Sequence, residues 1–123
     1  METLVAKIIC RWIFLVAVPL GALAPLDELH AAEWWHTSAV TRVYPIADGR
    51  VALIFETDHA QCTNANSPKY YYFGVGFNSV TQQGFTNMLS VALAATMSGR
   101  DLIIAFDDST SLCYINRMSI GDP

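Results

Sequence analysis

The stretch "TQQGFTNMLSVALAATMSGRDLIIAF", residues 81–106, decides how this chain is built. Thr81 can cap a helix N-terminus with its hydroxyl, and Gly99 stands where a left-handed glycine ends one. Between them Phe85, Met88, Leu89, Ala92 and Ala95 recur at helical spacing, which predicts a helix from about Gln82 to Ser98 with that stripe on the core. After the glycine the period changes to two. Leu102, Ile104 and Phe106 alternate along "DLIIAFDD", the pattern of a strand with one buried face.

Upstream, "TSAVTRVYPI" (37–46) is rich in β-branched residues and reads as a first strand. The Asp-Gly of "ADGR" marks a tight turn, and "VALIFET" (51–57) follows as its hairpin partner, with Val51, Leu53 and Phe55 sharing a face. A polar loop, "DHAQCTNANSPK" (58–69), leads to "YYYFGVGF" (70–77), read as a third strand with Tyr71, Phe73, Val75 and Phe77 inward. Gly74 and Gly76 on its other face point to curvature, since "GVG" lacks the strand-turn-helix setting of a phosphate loop. Downstream, "DSTS" turns the chain and "CYINRMSI" (113–120) is a fifth strand. Three strands, one helix and two strands is the element order of the OB-fold, a five-stranded Greek-key barrel. The fold class expected is therefore mainly β, an OB-fold-like barrel with one helix between strands 3 and 4. An open antiparallel sheet carrying the helix is the alternative.

The N-terminus reads as an export signal. Lys7 and Arg11 precede "WIFLVAVPLGALA" (12–24), an uncharged run of 13 residues against the ~20 that span a bilayer. Cleavage is expected at Ala31 or Ala32, giving a signal peptide over 1–32, a single domain over 33–123, and a secreted or periplasmic product without membrane insertion. A retained anchor or buried helix is the competing reading. Cys10 lies ahead of the apolar run, out of place for lipid attachment. The mature part carries Arg42, Arg50, Lys69, Arg100 and Arg117 against eight carboxylates, a net charge of −3, which disfavours a nucleic-acid partner. No cofactor motif is visible.

Cys62 and Cys113 remain as an even pair in an oxidising compartment, and a domain of this size gains from a crosslink. They are expected to form a disulfide. A catalytic Cys113 needs a base, and His36 and His59 sit in no known signature. A metal site from Asp58, His59, Cys62, Asp107, Asp108 and Cys113 lacks ligand spacing, so no metal is expected. Asp107 and Asp108 are adjacent on a strand and so point to opposite faces, which argues against a paired-carboxylate hydrolase and for a solvated turn.

The order of "AEWW" (32–35), hairpin, cysteine loop, aromatic strand and "ALAATMSGRDLIIAF" (92–106) resembles a group of small exported bacterial proteins of uncharacterised function. More remotely it resembles the pentameric B subunits of AB-type toxins of the subtilase-cytotoxin and typhoid-toxin kind. That resemblance implies an OB-fold barrel, binding of cell-surface glycans, and helices packed around a central pore. No sugar-binding residue matches position by position.

Two surface expectations stand beside it. No charged side chain occurs between Tyr70 and Gly99, and the outer helix face of Thr86, Asn87, Ser90, Ala94, Met97 and Ser98 suits packing against copies of itself as well as a plain solvated face. Trp34, Trp35, Tyr70 and Tyr72 are candidates for stacking on sugar rings or anchoring an interface, or else for ordinary packing. The leading expectation is a non-enzymatic binding module for a glycan or protein, with homo-oligomerisation as a further candidate property. A structural or inhibitory envelope protein is the alternative, and a small hydrolase the weakest reading.

Overall fold

The computed structural model describes residues 21 and 32–121. The predicted signal peptide, apart from Gly21 and Ala32, lies outside them, as does Cys10. Five strands and one helix follow in the order β1 (Glu33–Pro45), β2 (Val51–Phe55), β3 (Tyr70–Phe73), α1 (Gln82–Ser98), β4 (Asp101–Asp107) and β5 (Ile115–Ile120).

β1 organises the sheet. Its first half pairs with β4, from Glu33 opposite Asp107 to Ala39 opposite Asp101. Its second half pairs with β2, from Val40 opposite Phe55 to Pro45 opposite Val51. The register shifts between Val40 and Arg42, a bulge at the point where β1 changes partner and the sheet coils. All neighbours are antiparallel in the order β3-β2-β1-β4-β5. The ends approach without a β3–β5 ladder among the described residues. One backbone bond, Tyr72 N–H to the Leu112 carbonyl at 3.2 Å, bridges them. Phe77 stacked on Tyr114 at 4.6 Å and the Asn78 amide donating to the Tyr114 carbonyl close the same seam. The result is the expected mainly β, OB-fold-like barrel with its helix between strands 3 and 4, though only partly closed.

The barrel fills from both directions. Leu53, Phe55, Tyr71, Phe73, Leu102, Ile104, Phe106 and Ile115 are buried, and α1 adds Met88, Ala92 and Ala95, with Phe85 and Leu89 half-buried beside them. Thr81 accepts the Gly84 N–H on its hydroxyl, and Gly99 ends the helix at φ 69° with its N–H on the Ala95 carbonyl. Nothing lies within 4 Å of a side chain built at Gly99, so Gly99→Ala is a test of backbone strain alone. It is expected to lower stability by about 1–2 kcal/mol, seen as a lower denaturation midpoint at unchanged slope.

Several strand limits differ from expectation, and β2 ends at Phe55, two residues early. β1 begins four residues earlier, taking in both tryptophans. β3 stops at Phe73, because the 74–77 segment folds into a turn with Phe77 N–H on the Gly74 carbonyl and Gly76 at φ 86°. Val75 and Phe77 are therefore exposed instead of inward. Gly74 serves close approach: a side chain there would meet Arg50 Cγ at 2.9 Å. β5 begins at Ile115, since Cys113 has φ 49° and cannot continue a strand. Cys62 and Cys113 are joined, with Cα atoms 5.7 Å apart across 51 residues of sequence.

Candidate functional site

The outer face of the β1–β2–β3 hairpin sheet gathers three tyrosines, Tyr44, Tyr70 and Tyr72. Cross-strand pairing sets Tyr44, Ala52 and Tyr72 in one row and Arg42, Ile54 and Tyr70 in the next. Ala52 and Ile54 are buried beneath the larger side chains. Tyr44 and Tyr70 have ring centroids 6.3 Å apart, as do Tyr70 and Tyr72. Burial, more than its neighbours, raises the pKa of the Tyr72 phenol, so it stays protonated and a hydrogen-bond donor through neutral pH.

A groove of about 260 Å³ runs along this shelf between Thr41, Arg42, Ile54, Tyr70 and the loop residues Asn66, Ser67 and Pro68. Loop 58–69 is held in place by several bonds. The Asn64 amide donates to the Ser111 carbonyl, and its side-chain oxygen accepts the Asn66 N–H. The Asp58 carboxylate accepts the Lys69 N–H, and the Lys69 ammonium donates to the carbonyls of His59 and Cys62. The Arg42 guanidinium lines the groove and makes no ion pair with the described residues, where the pairs are Arg50–Asp48 and Arg117–Glu33. The groove therefore combines an aromatic wall, a guanidinium and small hydrogen-bonding side chains.

The four aromatics expected at a site separate. Tyr70 and Tyr72 share the shelf. Tyr72 also carries Arg50 at 5.1 Å over its ring, a contact that, with the Arg50–Tyr114 hydrogen bond, ties the shelf to the seam. Trp34 faces inward, half-buried, with its indole N–H on Asp108 Oδ2 at 3.0 Å and its ring against His59. Trp35, on the opposite face of β1, is 53% exposed with the Arg117 guanidinium 5.4 Å over its ring. It borders a second groove with Asn87, Met88, Asn116 and Met118. Tyr44, Thr41 and Arg42 were missed in the sequence. Alternation does place Arg42 and Tyr44 on one face, but only the hairpin register sets that face against Tyr70.

On the outer face of α1, Asn87, Ser90, Ala94 and Met97 are all exposed, joined by Leu93. Met97 is 86% exposed. The hydroxyls of Thr86 and Ser90 donate back to the carbonyls of Gln82 and Thr86, which leaves the face less polar than its composition.

Asp108 accepts the Trp34 indole and the Ala32 N–H, and Asp107 accepts the Ser109 hydroxyl, so both serve the strand end. Among the described residues no three His, Cys, Asp or Glu side chains gather to hold a metal ion, and no helix is long and apolar enough to cross a membrane.

No protein-family model matches the chain, and no curated protein matches it in sequence. Among solved structures it is similar to human heat-labile enterotoxin crystallised in complex with a blood group A antigen analogue, with a TM-score of 0.54 and 9% identity over 73% of this chain and 86% of that one. At that identity the likeness speaks to the fold alone.

Proposed function

We propose that the chain acts outside the cytoplasm as a glycan-binding subunit that assembles with copies of itself. The observation that carries the reading is the tyrosine shelf with its groove, Tyr44 and Tyr70 beside Arg42, Asn66 and Ser67. A sugar ring presents an apolar C–H face and a rim of hydroxyls. The shelf stacks on the first while the groove's polar side chains take the second. The enterotoxin of similar fold was crystallised with a blood-group sugar analogue, which supports a carbohydrate over other small ligands. The disulfide supports an oxidising compartment. The export signal over 1–32 and the uncharged helix face supply the rest of the proposal.

Tyr70→Ala removes the stacking wall while sparing the buried Tyr71 beside it. Affinity for a glycan found on a printed array is expected to fall about tenfold, which is about 1.4 kcal/mol, with the denaturation midpoint little changed. Calorimetric titration reads the affinity. Binding that survives in Tyr70→Ala, or an array silent to the wild type, removes the shelf as a sugar site and leaves the aromatics as an interface for a protein.

A further inference from the structure

Loop 58–69 builds one wall of the groove with its last residues, and a histidine pair holds its first. The His59 ring lies among Trp34, Phe106 and His36, with centroids 5.8, 5.3 and 5.8 Å away. Its Nδ1 accepts the Gln61 N–H at 3.1 Å, so the ring is neutral with its proton on Nε2. The His59 backbone N–H donates to the Tyr71 hydroxyl at 2.8 Å, and its carbonyl accepts the Cys62 N–H and the Lys69 ammonium. The turn at 59–62 is thus organised around an uncharged imidazole. Lys69 clasps that turn to the far end of the loop, next to Asn66, Ser67 and Pro68.

We propose that His59 is an acid-sensitive latch, whose protonation releases this turn and, through Lys69, loosens the groove wall at Asn66–Pro68. The effect on ligand rests on the reading of that groove as a glycan site. A proton on Nδ1 converts the acceptor of the Gln61 N–H into a donor, so the bond is lost and two N–H groups face each other. The titratable and charged groups packed around the ring are already engaged in other bonds or are themselves cationic. From β1 comes His36, whose Nε2–H is committed to the Thr57 carbonyl at 2.8 Å. From the loop come the Lys69 ammonium and the Asp58 carboxylate, which is held by the Lys69 N–H. From β3 comes the Tyr71 hydroxyl. From the end of β4 come Asp108, bound by Trp34 and Ala32, and Asp107, bound by Ser109.

Burial, then His36, then Lys69 hold the His59 pKa below the ordinary histidine value. The sign follows. An opened loop takes its proton near pH 6.5, the closed one only at lower pH, so the open form binds more protons between those values. The latch is fully closed above about pH 6.5 and weakens as pH falls below it. Cys62 keeps the loop tethered to Cys113, so the change stays local.

Amide hydrogen exchange on the disulfide-intact protein tests this at pH 7.5 and 5.5, corrected for the intrinsic pH dependence of exchange. Protection of Gln61 and Asn66 is expected to fall by about tenfold, the change that one pH unit below 6.5 allows. His59→Phe keeps the ring packing without the proton site and is expected to hold its protection. Wild-type protection that ignores pH, or an equal loss in His59→Phe, overturns the latch. If that variant does not fold, the wild-type ring decides by NMR. A His59 midpoint below 6.5 that coincides with the exchange transition supports the latch, and one at or above 6.5 overturns it. A printed glycan array read at both pH values supplies the binding arm. Signals that drop at pH 5.5 in the wild type alone support the coupling, and signals unchanged while the loop opens overturn it. An array silent at both pH values removes the glycan reading, and the exchange result still judges the latch.

Discussion

Chemical denaturation of the Cys62→Ser, Cys113→Ser double variant is expected to show a loss of about 4 kcal/mol. The crosslink closes a loop of 51 residues, and the entropic treatment gives that order for restraining the unfolded chain. Domains of this kind are worth about 5–15 kcal/mol in total, so the loss removes a large part of the whole. The location adds to the effect. Cys62 lies in the β2–β3 loop and Cys113 ahead of β5, and the sheet order places β3 and β5 at opposite ends. The disulfide therefore ties the two edges that β-pairing leaves open, backed by the Tyr72–Leu112 bond and the Asn64–Ser111 bond. Removing both sulfurs together avoids a lone buried thiol. A loss under about 1 kcal/mol at unchanged denaturant slope would show that the side-chain seam of Phe77, Asn78 and Tyr114 closes the barrel unaided.

How far the sequence reaches depends on how local the cause is. The helix limits were legible to the residue, because Thr81 and Gly99 act through bonds within four residues of themselves. The inward faces of β2 and β4 were equally legible, since alternation is a property of the strand itself. Val75 and Phe77 were misread because they continue the alternation of β3, while the turn that ends it depends on Gly76 at positive φ and on Gly74 receiving Arg50 from across the hairpin. β5 starts later than the alternation suggests, because Cys113 takes a left-handed conformation that no local pattern announces. The length of β1 was hidden too, as its first half is a strand only because β4 pairs with it.

The candidate site shows the same division. Tyr70 and Tyr72 could be chosen as aromatics on a strand, yet a shelf needs Tyr44, which arrives beside Tyr70 only through the hairpin register. Trp34 and Trp35 are adjacent in sequence and so face opposite ways. Which one turns inward is fixed by contacts far away in sequence, such as Asp108, 74 residues on, which takes the Trp34 indole N–H. In the sequence His36 and His59 lack a catalytic signature and His59 lacks metal-ligand spacing, and nothing there brings the two rings together. Their setting comes from Phe55, Tyr71 and Phe106 on three different strands, which no short motif encodes.

The Ser90→Glu substitution is expected to convert an oligomer into a single chain. In the structure Ser90 sits one turn before Leu93 and Ala94 on the outer face of α1, with Met97 another turn on. A helix with one side on the barrel and the other in water ordinarily places Lys or Glu outside, and here that side offers a leucine, an alanine, a methionine and hydroxyls already bonded to the helix backbone. Packed against copies of the same face, a glutamate at 90 would be desolvated without a cation. Symmetry would repeat that cost in every subunit, at several kcal/mol each. On a monomer the same change stays solvated and alters stability by only about 0.5 kcal/mol either way. Light scattering on both proteins separates these cases. A wild-type mass several times that of one chain, reduced to one chain in Ser90→Glu with an unchanged circular dichroism spectrum, supports assembly through α1. A wild type that is monomeric at millimolar concentration removes the assembly. Because the substitution lies on α1 and the tyrosine shelf lies on the hairpin sheet, Ser90→Glu should keep single-site glycan affinity while losing avidity on a dense array.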